Sequence, residues 1–130
     1  MSSDSILYSP YTLPCGVTAR NRLVKAAMEE NMSSMGNIPG ESLYSLYRYW
    51  AHGNLGMVIT GNVMVDKGAM TEPGGVALEK DTDIAPFQKW AKIIKSNGAL
   101  AIMQINHPGR QVFKAMKGKA IAPSAVPLDM

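Results

Sequence analysis

The sequence has one cysteine, Cys15, so no internal disulfide can staple the fold, and the chain suits a reducing compartment. Cys15 stands in Leu13-Pro14-Cys15-Gly16, which reads as a turn carrying a spare thiol rather than a nucleophile. No apolar run approaches the roughly 20 residues that a bilayer-crossing helix needs. Residues 1–4 have neither the basic charge nor the apolar stretch of a secretory leader. The expectation is a cytoplasmic chain without a membrane partner. Basic clustering is also missing. The net charge is +3, but the densest lysine stretch, residues 114–119, holds only three lysines. That excludes a nucleic-acid surface, which needs a basic stripe or a recognisable module. There is no H-E-x-x-H and no Cys/His cluster, so no metal site is expected. The sequence has no G-x-G-x-x-G fingerprint, no Walker A loop and no internal repeat.

What is present is a globular composition. Hydrophobic residues make up 46% of 130 and charged residues 18%, too apolar a balance for disorder. After a polar start, 13–17 and 18–22 read as a short turn-linked ribbon, followed by a first strand over Leu23–Met28. Residues 29–40 read as a Gly/Pro-punctuated loop. Leu43, Leu46, Tyr47 and Trp50 then recur at helical spacing, with Gly53 where a C-terminal cap belongs. The stretch 56–65 is nearly all apolar, as in a strand buried on both faces. Residues 66–80 read as another loop. A second helix is expected from Asp81-Thr82-Asp83, with Phe87, Trp90, Ala91 and Ile94 as its apolar stripe and Gly98 closing it. A third strand runs over Ala99–Ile105.

The order β–α–β–α–β makes the strands parallel, with helices covering them. It leaves two architectures, an open doubly wound sheet or part of a (β/α)₈ barrel. The missing glycine-rich fingerprint after the first strand favours the barrel. In either fold, chemistry gathers at the C-terminal ends of the strands. Those ends are Met28-Glu29, Gly61-Asn62 and Gln104-Ile105-Asn106-His107, all on one rim. Gly61 would let a flat ligand approach the backbone. The Gln104 amide would match a ring edge that presents a carbonyl beside an N–H. Each also has a plain structural reading: a strand-end glycine, a polar strand cap, a histidine (His107) holding its loop. Glu29 and Glu30 are adjacent and diverge if extended, so they make a poor acid/base pair. Trp50 and Trp90 read as core, and His52 as a partner of the helix end.

At these strand ends the sequence resembles the Old Yellow Enzyme (NADH:flavin oxidoreductase) family. The segments that carry the resemblance are Arg20–Met28, Gly56–Asn62, Met103–Gln111 and Ile121–Pro127, in order and at matching spacing. The resemblance implies an α/β fold, a (β/α)₈ TIM barrel of which this chain supplies the first three β/α units and is incomplete as given. A whole barrel takes roughly 250 residues. It further implies FMN as cofactor, NAD(P)H as reductant and an enone-like small molecule as hydride acceptor. Ala27, Met28 and Glu29 would line the flavin from the first strand, Gly61 from the second, and Gln104 would pair with its pyrimidine edge. His107 and Arg110 match a motif of mainly structural role. Glu29 stands where the family often has Thr or Cys, and an ionised carboxylate there would disfavour the anionic reduced flavin. The residues that orient the substrate carbonyl, donate the proton and bind the phosphate belong to later strands. A homo-oligomer or a complementing chain is therefore the expected partner, and the chain alone is expected to be inactive. A noncatalytic remnant, or a small α/β binding module without cofactor, is the alternative.

Overall fold

A computed structural model describes residues 5–112, 118 and 120–126. Most of the lysine stretch and Pro127, the end of the last family-like segment, lie outside the described residues. In chain order the elements are β1 (Tyr11–Thr12), β2 (Thr18–Ala19), β3 (Val24–Lys25), α1 (Glu41–Ala51), β4 (Met57–Met64), β5 (Val76–Ala77), α2 (Ala85–Lys95) and β6 (Leu100–Asn106). Two 3-10 turns, Ile6–Tyr8 and Gly109–Gln111, flank them.

The expected ribbon is present but displaced. β1 pairs antiparallel with β2, Tyr11 against Ala19 and Thr12 against Thr18. Residues 13–17 are the turn between them rather than a strand. The Leu13 N–H donates to Val17 O, the Gly16 N–H donates to Leu13 O, and Gly16 takes φ +85°. Pro14 has no N–H to give a ladder, so the chain reverses there.

β4 organises the main sheet. β6 runs parallel to it along its whole length, from Met57 opposite Leu100 to Met64 opposite Asn106. β3 and β5 share the other edge, β3 at Met57–Val58 and β5 at Val63–Met64, both parallel. The expected strand at 23–28 is therefore cut to two paired residues. From Ala26 the chain leaves the ladder and passes the middle of β4, where its carbonyl at Met28 faces Gly61. β5 was hidden inside the expected loop 66–80, because two paired residues just after Gly74-Gly75 leave no alternation to read. The parallel strand–helix order holds, as β3–α1, β4–α2 and then β6. Two strand–helix units are complete. No α-helix follows β6 among the described residues, so the count of three units is not borne out.

Both helices cover one face of this sheet. α1 buries Leu43, Tyr44, Tyr47 and Ala51, while Leu46 and Trp50 are only half-buried. Its stripe is thus turned slightly from the one expected. The helix closes at His52, whose N–H donates to Arg48 O, and the left-handed residue is Asn54 (φ +56°), not Gly53. α2 begins at Ala85, later than expected. Asp83 Oδ1 accepts the Ala85 N–H at 3.0 Å, and Pro86 occupies the first turn, where its missing N–H costs nothing. Phe87, Trp90 and Ile94 are buried, and Gly98 (φ +78°) ends the helix as read from the sequence. Leu43, Tyr47, Val58, Val63, Trp90 and Ile94 form the core between helices and sheet. Tyr47 meets Trp90 and Trp50 edge-on at 5.0 and 4.9 Å, the offset geometry that aromatic quadrupoles favour.

Candidate functional site at the strand ends

The upper half of β4 departs from a regular strand. Its pairing with β6 shifts between Ile59 and Asn62, so one extra residue is accommodated at Thr60–Gly61, a β-bulge. The bulge leaves backbone groups without ladder partners, and side chains take them. Thr60 Oγ1 accepts the Gln104 N–H at 3.0 Å and donates to Gly61 O. The Gly61 N–H donates to the Tyr47 hydroxyl at 3.1 Å. The Ile59 carbonyl accepts from Lys25 Nζ at 3.0 Å.

Behind the bulge lies a buried ionic cluster. Tyr47 donates its hydroxyl proton to Glu30 Oε1 at 2.5 Å. Lys25 Nζ lies 3.4 Å from that same oxygen, with the two side chains only 6% and 8% exposed. Lys25 also sits over the rings of Trp50 and Tyr47, at 4.4 and 5.2 Å. Burial holds the Lys25 ammonium below its ordinary range, and the Glu30 charge and hydrogen bond oppose that shift. Burial pushes the Tyr47 phenol well up, the Glu30 hydrogen bond and charge add to it, and the Gly61 N–H works against it.

The residues singled out from sequence divide by environment. Met28 and Gln104 are exposed and Ala27 is half-buried. Gln104 lies directly opposite Asn62, so both project from the same face of the sheet. Among the described residues, no group holds the Gln104 side-chain amide. Gly61 is buried, and a Cβ there would overlap Met28 O and Glu30 Oε2. The chain itself therefore fills the space beside it. Glu29 and Glu30 diverge as read: Glu30 turns inward to Tyr47, while exposed Glu29 accepts a hydrogen bond from Thr71 Oγ1. His107 Nδ1 accepts the Gly109 N–H at 3.0 Å, a loop-holding contact, and Arg110 Nη1 donates to Val126 O. Cys15 is exposed and free. No group of three metal-ligating side chains occurs among the described residues, and none of their helices is long and apolar enough to cross a membrane.

Sequence reasoning missed Lys25, Tyr47 and Thr60. Lys25 carried a signal, a lone cation inside an apolar strand-length run. Tyr47 was hidden as one more member of a helix stripe.

Comparison with known proteins accords with this geometry. The profile of the NADH:flavin oxidoreductase / NADH oxidase family matches residues 6–129. The NADH-dependent flavin oxidoreductase iliE of Hypocrea jecorina (strain QM6a) is 39% identical over 93% of this chain, which spans 32% of that protein. The NADH:fumarate oxidoreductase of Klebsiella pneumoniae (strain 342) is 34% identical over 97% of the chain and 14% of its own length. Among solved structures, the Old Yellow Enzyme from Pichia sp. AKU4542 superposes with a TM-score of 0.81 at 21% identity, over 97% of this chain and 33% of that one. The chain thus spans about a third or less of these relatives. Parallel strand–helix units, a rim of strand ends and a match over nearly all of the sequence lead to one assignment: the chain belongs to the NADH:flavin oxidoreductase / NADH oxidase family, flavin-dependent oxidoreductases whose Old Yellow Enzyme members are TIM barrels.

Proposed function

We propose that this chain forms the strand-end floor for FMN in an NAD(P)H-dependent oxidoreductase of ene-reductase type. The observation that carries the reading is the Gln104 amide, exposed at the top of β6 beside Asn62 and held by no other described group. An amide offers one donor and one acceptor, the complement of the pyrimidine edge of a flavin. Met28 and Ala27, in the segment that follows β3 past β4, supply apolar surface for a ring face, with Glu29 beyond them. Bound there, FMN would take hydride from NAD(P)H and give it to an activated alkene. Fumarate, named in one relative, is an alkene activated by its carboxylates. The phosphate clamp and the proton donor fall to the remaining two thirds of a barrel, since phosphate sites of such barrels follow strands 7 and 8. The partner is accordingly the rest of that barrel, in the same chain or a complementing one.

The test is Gln104→Ala in a complete barrel carrying this segment. Loss of a buried amide pair costs about 1–3 kcal/mol, so FMN should bind a few-fold to a hundredfold more weakly by fluorescence titration. Unchanged affinity with an intact fold removes Gln104 from the site. A complete barrel that purifies colourless and takes up no FMN would favour a noncatalytic remnant instead.

A further inference from the structure

We infer that Tyr47 and Glu30, together with Lys25, are positioning residues that hold the bulge of β4, and that through it they set Asn62 beside Gln104 as a second amide facing the flavin. Only the last step rests on the functional reading above.

The argument starts from the period of a strand. Side chains alternate faces, so an inserted residue transfers every later side chain to the opposite face. Ile59 pairs with Ile102. Without the extra residue, Gly61 would oppose Gln104, and Asn62 would oppose Ile105. Val63, which does oppose Ile105, belongs to the core beneath the helices. Asn62 would then point into that core with its amide unsatisfied. With the bulge, Asn62 opposes Gln104 and Met64 opposes Asn106. Two amides thus come to stand side by side at the rim.

A bulge in a buried strand persists only if its orphaned backbone groups find partners. Here the partners are side chains of α1 and of the neighbouring strand β3. Tyr47, 1% exposed, takes the Gly61 N–H, and Lys25 takes the Ile59 carbonyl. Glu30 fixes both donors by accepting from Tyr47 and from Lys25. A buried ion pair is weak evidence of net stabilisation, because desolvation offsets its attraction. The contacts of this one land on the backbone of the bulge itself, which gives the cluster a geometric task.

The experiment uses a complete barrel carrying this segment. Tyr47→Phe keeps the ring against Trp50 and Trp90 and removes only the hydroxyl. Amide hydrogen exchange should accelerate about tenfold or more at Gly61 and Asn62, while Val58 changes by less than about twofold. The Kd for FMN should rise about fivefold, as for one lost hydrogen bond, and the visible band of the bound flavin should shift. In an Asn62→Ala background, Tyr47→Phe should add no further loss, since coupled residues are not additive. Glu30→Gln should give the same exchange pattern at smaller size, and it carries the test if Tyr47→Phe does not fold. Uniform acceleration at all three amides, or none, overturns the positioning role. So do losses that simply add in the double variant. Local acceleration with FMN affinity unchanged in Tyr47→Phe, Asn62→Ala and Gln104→Ala alike keeps the positioning role and sinks the flavin reading.

Discussion

Gly61 shows how much of a position's environment lies beyond its local sequence. The sequence offered it as a strand-end glycine, either structural or leaving room for a ligand, whereas it lies inside β4. The structure gives another reason, since any side chain would overlap the Met28 carbonyl and the Glu30 carboxylate. Those groups lie some thirty positions earlier, and no local pattern announces them. Gly61→Ala should therefore destabilise the protein by about 1–3 kcal/mol, the usual range for overpacking against a neighbour that cannot yield. Denaturant unfolding of a complete barrel measures this. An unchanged midpoint would mean that the 28–30 segment moves aside easily.

Elements with a sustained period were legible and short ones were not. α1, α2 and β4 each bury a stripe or a run long enough to read, β6 is a sustained apolar run, and each lies where the sequence put it to within a few residues. β3 shrank and β5 went unseen because two paired residues carry no pattern. The bulge was invisible for a related reason, as the side chains that meet its backbone sit on β3 and α1, far from it in sequence. That link gives a pH dependence. Folding raises the Tyr47 phenol above its ordinary 10.0, so the folded chain keeps a proton that the unfolded chain releases. The associated stability is complete below about pH 10 and declines as the pH climbs beyond it. Lys25 acts in the other direction. Its lowered value makes stability grow as pH rises towards 10.5, but it is present in both wild type and Tyr47→Phe and largely cancels in their difference. Above pH 10 the thermal midpoint of the wild type should drop towards that of Tyr47→Phe. A gap that stays constant to pH 11 would contradict the burial of this hydroxyl.

At the scale of the molecule, the sheet has one finished side. The helices cover one face, while Val24, Met28 and Ile102 are 42%, 51% and 38% exposed, and Ile105 on β6, the edge strand among the described residues, is 70% exposed. Apolar surface beside an unpaired strand edge invites self-association. Residues 1–130 by themselves should sediment as oligomers or aggregates and should not oxidise NADPH in the presence of an enone. The ring-edge contacts alone would have to offset the roughly 4–15 kcal/mol of immobilising a ligand. A monodisperse yellow monomer with enone-dependent turnover would overturn this. The shared strand β4 also bears on the order in which the sheet assembles. Every ladder of the main sheet includes β4, so none can form until it is made. Val76 follows Val63 closely in the chain, whereas the β3–β4 and β4–β6 partners are more than twice as far apart. Closing the shorter loop loses less chain entropy. During synthesis β4 should thus first be clasped by the segment just behind it. The strand made earliest would dock later, into the half-edge left open at Met57–Val58, so that the end of β4 away from the rim would be the later part of that edge to set.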